Sequence, residues 1–247
     1  MQEQIVQYFK NEKMIPLSES PNLKWEEAQK EVPRLTKGWF ELSRLEPSIR
    51  LEFIRDYWFN ALPYIPTFRG FIDRFFAKVE EVGMVAATSG IFLTYSLIGR
   101  SEFFLGGPPL IDDEIETLKG QIDFPLPEDF LKFFRIHNGF FKGGDTGIFS
   151  SGVLVEEAQR FKELETSLRL GNEKIAPDLL LPFYRSFGLD VYQCFYSDWY
   201  PDGGVGNVLC SLSEGTISDY RTHEKGRDYL AFSSFLDWLI FYMEEVK

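Results

Sequence analysis

The chain has 247 residues, 44% of them hydrophobic and 17% aromatic with 25 Phe, enough for a sizeable buried core and too apolar for a disordered chain. The formal charge is −12 and sits in one part: residues 1–100 carry 13 acidic and 13 basic side chains, residues 101–247 carry 25 and 13. That balance argues against nucleic-acid binding and against docking on anionic lipid, and suits either a cationic partner or the simpler role of keeping the chain in solution.

The N-terminal run "MQEQIVQYFKNEK" is polar and charged where a signal peptide needs an apolar core, so the expected compartment is the cytoplasm. The first hundred residues read as a mainly helical extension, with helices predicted over Met1–Lys13, Leu23–Glu31, Ser48–Leu62 and Thr67–Val82. Pro47 suits a helix start and Pro63 a helix end. In the fourth segment Phe68, Phe71, Ile72, Phe75, Phe76 and Val79 recur at three- and four-residue steps, which gives one apolar face. The uncharged run Val82–Ile98 contains "Thr88-Ser89-Gly90" between two β-prone stretches, and so predicts a buried hairpin rather than a membrane span. Such a hairpin needs a neighbour to cover it, which favours packing of the extension on the rest of the chain.

The Gly-Gly-Pro-Pro run in "GRSEFFLGGPPL" (99–110) breaks any regular element, dividing the chain into an extension, 1–100, and a second domain, 101–247. Beyond it, "IDDEIETLKGQI" predicts a short helix with carboxylates at its positive end. "LPEDFLKFFRIHNGF" (126–140) predicts another, with Pro127 near its first turn, Glu128 and Asp129 behind it, His137 in its last turn and Asn138-Gly139 as its stop. A polar helix over 155–170 and three strand-like runs follow: "LLLPFYRSF", "DVYQCFYSDW" and "GNVLCSLSEGTISDY". The last element, "SSFLDWLIFYMEEV", is apolar nearly all round and has capping-box spacing at Ser234 and Asp237. This order of helices, strands and helix predicts an α+β fold with an antiparallel sheet.

Catalytic readings fare poorly. Cys194 or Cys210 with His137 or His223 would make a thiol hydrolase, but neither cysteine opens a helix and each lies in an apolar strand-like run. Two cysteines 16 residues apart and two histidines are too few for a zinc site or a disulfide scaffold. "KGGDTG" lacks the Gly-Lys-Ser/Thr ending of a phosphate loop, and "SDWYPDGGVGN" lacks calcium-loop spacing. The pairs Asp112/Asp113 and Glu156/Glu157 are accounted for as solvated helix starts. No catalytic residue, metal or cofactor is therefore assigned. The surface candidate is "YSDWYPDGG", where Tyr196, Asp198, Trp199, Tyr200 and Asp202 gather aromatics and acids at a hairpin end, a composition suited to a basic protein partner. The alternative is that Trp199 folds back to close the sheet edge.

Three stretches in order resemble the SUKH superfamily, also called the SMI1/KNR4 family. They are "LPEDFLKFFRIHNGF" (126–140), "DVYQCFYSD" (190–198) and "FSSFLDWLIF" (232–241), together spanning about residues 110–245. The resemblance implies helices against a bent antiparallel sheet and no shared catalytic residues. It also implies a protein-binding role, in bacteria that of an immunity protein neutralising a toxin domain, often a nuclease. Fungal relatives regulate cell-wall synthesis, which leaves a regulatory or scaffold module in a larger assembly as the alternative. Residues 1–100 lie outside the resemblance.

Overall fold

The computed structural model describes residues 3–221 and 230–244, the side chain of Asp202 excepted. The chain forms two compact units: residues up to Pro109 with Phe140–Gly144, and Leu110–Gly139 with the residues from Asp145 onward.

The N-terminal unit contains α1 (Glu3–Tyr8), β1 (Met14–Pro16), α2 (Trp25–Glu31), α3 (Lys37–Arg44), α4 (Pro47–Ala61) and α5 (Pro66–Phe76). Four further strands, β2 (Val79–Ala87), β3 (Gly90–Leu97), β4 (Phe103–Gly106) and β5 (Phe140–Lys142), complete an antiparallel sheet in the order β1-β2-β3-β4-β5. The hairpin read from Val82–Ile98 is β2–β3, and it is longer than expected because Val79 already pairs with Leu97. The predicted helix over Thr67–Val82 therefore stops at Phe76, where the β-branched Val79 and Val82 are drawn into the sheet. The first helix likewise ends at Tyr8 instead of Lys13, since Met14 is needed opposite Ala87. Helix α3 was not legible from periodicity; Thr36 caps it, its hydroxyl accepting from Trp39 N–H at 3.3 Å.

Aromatic rings fill this unit. Trp58 on α4 donates to the Tyr95 hydroxyl at 3.2 Å, and Phe104 stacks on Phe140 across β4–β5 at 5.2 Å. Burial holds the Tyr95 phenol protonated well beyond its ordinary range. Arg50, one turn after the start of α4, is only 1% exposed. Its guanidinium donates to the carbonyls of Ser43 (3.2 Å), Leu45 (3.0 Å) and Val82 and to Glu81 (3.1 Å), tying α3, α4 and β2 together.

The C-terminal unit contains α6 (Asp112–Gln121), α7 (Glu128–Phe134), β6 (Gly147–Ile148), α8 (Ser151–Lys162), β7 (Leu168–Leu170), β8 (Glu173–Ile175), β9 (Leu180–Arg185), β10 (Val191–Tyr196), β11 (Asn207–Ser211), β12 (Thr216–Ile217), β13 (Ala231–Phe232) and α9 (Phe235–Glu244). Its strands run in the order β6-β9-β10-β11-β12-β7-β8, with β13 also on β11. The fold is α+β, and the sheet is antiparallel except where β7 pairs parallel to β12. That exception arises because the predicted helix over 155–170 ends at Lys162 and its tail, Leu168–Leu170, becomes a strand.

The stretch 126–140 explains how this unit is tied together. Asp129 accepts from its neighbour Phe130 N–H at 2.9 Å and from Leu236 N–H, at the start of α9, at 3.1 Å. Asn138 accepts from Ser151 N–H, at the start of α8, at 2.6 Å. Each polar residue thus satisfies a helix terminus distant in sequence. Phe130 packs against Phe134, Phe183, Phe195 and Phe235, so the same helix centres the core. Burial pushes the Asp129 carboxyl above its ordinary value, opposed by the backbone N–H groups of Leu236, Phe130 and Phe235. His137 does not occupy the last turn of α7; the helix ends at Phe134, and His137 follows it, 0% exposed, with its N–H on Phe133 O at 2.9 Å.

Candidate functional site

The connection between β10 and β11 carries the aromatic and acidic side chains singled out from the sequence. Three backbone bonds close it: Tyr196 N–H to Gly206 O (3.0 Å), Gly206 N–H to Trp199 O (2.9 Å) and Trp199 N–H to Tyr196 O (3.1 Å). The Trp199 indole lies flat on Gly206, where a Cβ would fall 2.3 Å from the ring; glycine is what lets it lie there. Tyr220 stacks on its other face at 4.5 Å with an interplanar angle of 21°. Trp199 is thus half-buried, folded back over the strand end and sandwiched.

The candidate residues do not share one degree of exposure. Tyr200 is 53% exposed and Asp198 is exposed, whereas Tyr196 is buried beneath Tyr220, its ring centroid 5.9 Å away. Tyr196 therefore supports the surface from below instead of offering itself to a partner. Asp202 lies in the turn Pro201–Gly203, and its side chain is outside the described residues.

Carboxylates lie close to both phenols, Tyr196 and Tyr220. Burial and the nearby Asp198 carboxylate push the Tyr196 phenol up to about 12, with Glu173 adding to the effect. Tyr220 is raised in the same way, by burial first and then by Asp219, Glu173 and Asp198 against the opposing Arg221. Arg221, a cation at this surface, donates to Asp219 (3.2 Å) and Glu173 (2.8 Å). Those two bonds raise its own pKa further and hold the guanidinium at the patch's edge. The surface presents a half-buried aromatic stack, an exposed phenol and carboxylates.

The described residues among those considered for catalysis, Cys194, Cys210 and His137, do not lie at that surface. Cys194 and Cys210 are both buried in the sheet, and burial together with the neighbouring Cys210 keeps the Cys194 thiol protonated. His137 is enclosed by the core, and His223 lies outside the described residues. Among the described residues no group of three or more His, Cys, Asp or Glu is placed to hold a metal ion. No described helix is long and apolar enough to cross a membrane.

Two buried polar clusters escaped the sequence reading. Asp145, from the glycine-rich "KGGDTG", accepts from the hydroxyls of Tyr184 (3.1 Å) and Tyr242 (3.2 Å) and from the N–H groups of Thr146 (2.8 Å) and Phe187 (2.7 Å). A lone acid between glycines, where a turn needs no charge, was the only signal. Gln193 and Asn207 pair across β10–β11 at 2.8 Å, and reach Leu230 O and Ser234 O to guide the chain into α9. Alternation alone assigns both to polar strand positions and gives no hint of burial.

No curated protein matches the chain. The SMI1 / KNR4 family (SUKH-1) matches it over residues 109–240, just over half of its length and nearly the whole C-terminal unit, and members of that family are generally non-catalytic and often serve as immunity proteins. With the three motifs in order and helices α7 and α9 joined through Asp129, the chain belongs to the SMI1/KNR4 family.

Proposed function

We propose that this chain is a non-catalytic immunity protein that works in the cytoplasm, binding and neutralising a cationic toxin domain through the β10–β11 end of its C-terminal unit. The observation that carries the reading is the Trp199–Tyr220 stack, with Tyr200 and Asp198 exposed beside it. Rigid aromatics supply contact area at low entropic cost, and surrounding carboxylates speed the encounter with a basic partner and reject acidic ones. Family membership and the charge of −12 support the same assignment.

The test begins with tagged full-length chain recovered from its native cells and identification of what co-purifies in stoichiometric amount. The recovered toxin is then expressed with wild type, with Tyr200→Ala and with the double charge reversal Asp198→Lys/Glu173→Lys. Loss of protection by the charge reversal, with normal folding by circular dichroism, is the expected result. Full protection by that variant would refute the assignment of the surface.

One observation favours a second reading, a scaffold module held in a larger assembly. Helix α4 exposes Ile49, Phe53 and Tyr57 at successive four-residue steps, about 100° round the helix from its buried Arg50, Ile54 and Trp58. An apolar ridge of this spacing suits packing against another helix. Phe53→Glu separates the two readings: toxin protection survives it, whereas retention in an assembly does not.

A further inference from the structure

The connection between β9 and β10, residues 186–190, is short, pinned and apolar at its tip. Phe187 N–H is held by the buried Asp145 at 2.7 Å, Gly188 N–H by the Thr146 hydroxyl at 3.0 Å and Leu189 N–H by Ser186 O at 2.7 Å. From the strand side, Arg185 donates to Leu189 O and Gly188 O, both at 2.9 Å, and reaches Asp190 at 3.4 Å. The carboxylate that anchors Phe187 is itself fixed by Tyr184 and Tyr242, and Tyr242 stacks on Trp238 at 5.1 Å. The loop is therefore an extension of the core.

On this rigid mount two large apolar side chains face solvent: Phe187 is 62% exposed and Leu189 58%. Phe187 also holds φ at 41°, the one positive φ at a non-glycine residue among those described. An aromatic residue there is strained where Asn or Gly would sit without cost, and its exposed ring returns little burial energy. Strain kept in a pinned loop that displays apolar side chains is the pattern of a contact element.

We propose that Phe187 and Leu189 form a second docking element, a preformed knob that enters an apolar cleft on a protein partner. The proposal rests on the reading of this chain as a protein-binding protein, and it places a contact at the opposite end of β10 from Trp199. Six residues of strand separate the two turns by about 20 Å, a span within one ordinary protein interface. Two side chains beside Asp190 are too few, and too close to a carboxylate, to anchor on an anionic membrane. A convex tip calls for a concave apolar acceptor, and because the loop is already ordered, binding it carries little entropic penalty.

The test uses the full chain, made in its native cells with benzoylphenylalanine at position 187 and, separately, at Tyr200 and at the exposed control Glu165. Irradiation is expected to give a discrete adduct from position 187 whose peptide on the partner maps to an apolar run. Leu189→Asp in the same chain is expected to weaken that adduct about 10-fold. Phe187→Asn is expected to raise Tm by about 2 °C by relieving the left-handed conformation. An adduct no stronger than at Glu165, an adduct only with a second copy of the chain, or one indifferent to Leu189→Asp would overturn the proposal. So would a fall in Tm for Phe187→Asn, which would show Phe187 held by native packing. Adducts at 187 with none at 200 would retain this element and remove the Trp199 surface from the interface, so the two readings fail separately.

Discussion

Replacing Asp129 by alanine tests whether α7 and α9, the last helix of the C-terminal unit, are joined through one carboxylate. The substitution removes the acceptor of Phe130 N–H (2.9 Å) and Leu236 N–H (3.1 Å), at the starts of α7 and α9. Loss of a helix cap costs about 1 kcal/mol, and a donor left unsatisfied in the interior about 1–3 kcal/mol. Relief of the carboxylate's own burial offsets part of this, leaving an expected net loss of about 2–3 kcal/mol at neutral pH. Hydrogen-exchange mass spectrometry of Phe235–Glu244 reads this loss locally, which matters because the chain has two units that need not unfold together. The pH dependence supplies a second check. Burial raises the Asp129 pKa above its ordinary 3.8, so the folded state binds the proton more tightly than the unfolded state does. The stability contributed by the protonated form is complete below the unfolded pKa and is lost as pH rises through the higher folded value. Asp129→Asn does not titrate, so its stability relative to wild type should improve from pH 3.5 to pH 7. An alanine variant within about 0.5 kcal/mol of wild type, or an asparagine variant that falls behind as pH rises, would refute the argument.

Two further outcomes follow from buried geometry. Arg50→Ala leaves the carbonyls of Ser43, Leu45 and Val82 without their shared donor and is expected to cost about 3–5 kcal/mol by urea denaturation, whereas Arg50→Met, which keeps the apolar stem, should cost less. Gly206→Ala drives a methyl into the Trp199 ring and is expected to cost about 1–3 kcal/mol and to red-shift tryptophan emission as the indole lifts from the strand; unchanged emission would mean that Trp199 does not lie on Gly206.

The sequence was most informative where a segment's own residues set its fate. Pro47 starts a helix, Thr88-Ser89 turns a hairpin, and the Ser234 hydroxyl accepts from Asp237 N–H at 3.1 Å as the spacing predicts. It misled where a distant partner decided the matter. Val79 reads as the end of an apolar helical face until Leu97 is available across the sheet, and Leu168–Leu170 reads as helix until β8 and β12 flank it. The candidate surface shows the same division. Composition located Trp199, Tyr200 and Asp198, but alternation could not reveal that Tyr196 turns inward under Tyr220, a residue 24 positions away. Asp145 and Phe187 were invisible because a glycine-flanked acid and a turn aromatic acquire meaning only once hydrogen-bonded to each other, 42 residues apart.

The placement of polar groups in the C-terminal unit bears directly on where its function lies. A catalytic interior keeps titratable side chains facing a cleft with their reactive atoms available. Here Asp129 receives N–H groups of two helices, Asp145 receives two hydroxyls and two N–H groups, and Gln193 and Asn207 bond each other and the chain entering α9. Cys194 is held protonated within the sheet. Each of these groups is committed to holding a backbone segment or a neighbouring side chain in place. The segments so held include both turns of β10: Asp145 fixes Phe187, while Gln193 and Asn207 sit on the strands that carry Trp199. On the proposed reading, a core that fixes the turns at either end of β10 serves recognition, because loops on a fixed scaffold bind without the entropic cost of ordering. The proposed function therefore directs mutagenesis to the ends of β10 rather than to the buried acids of the unit. Changes at Tyr200 or Leu189 should alter binding with little effect on stability, and changes at Asp129 or Asp145 should do the reverse.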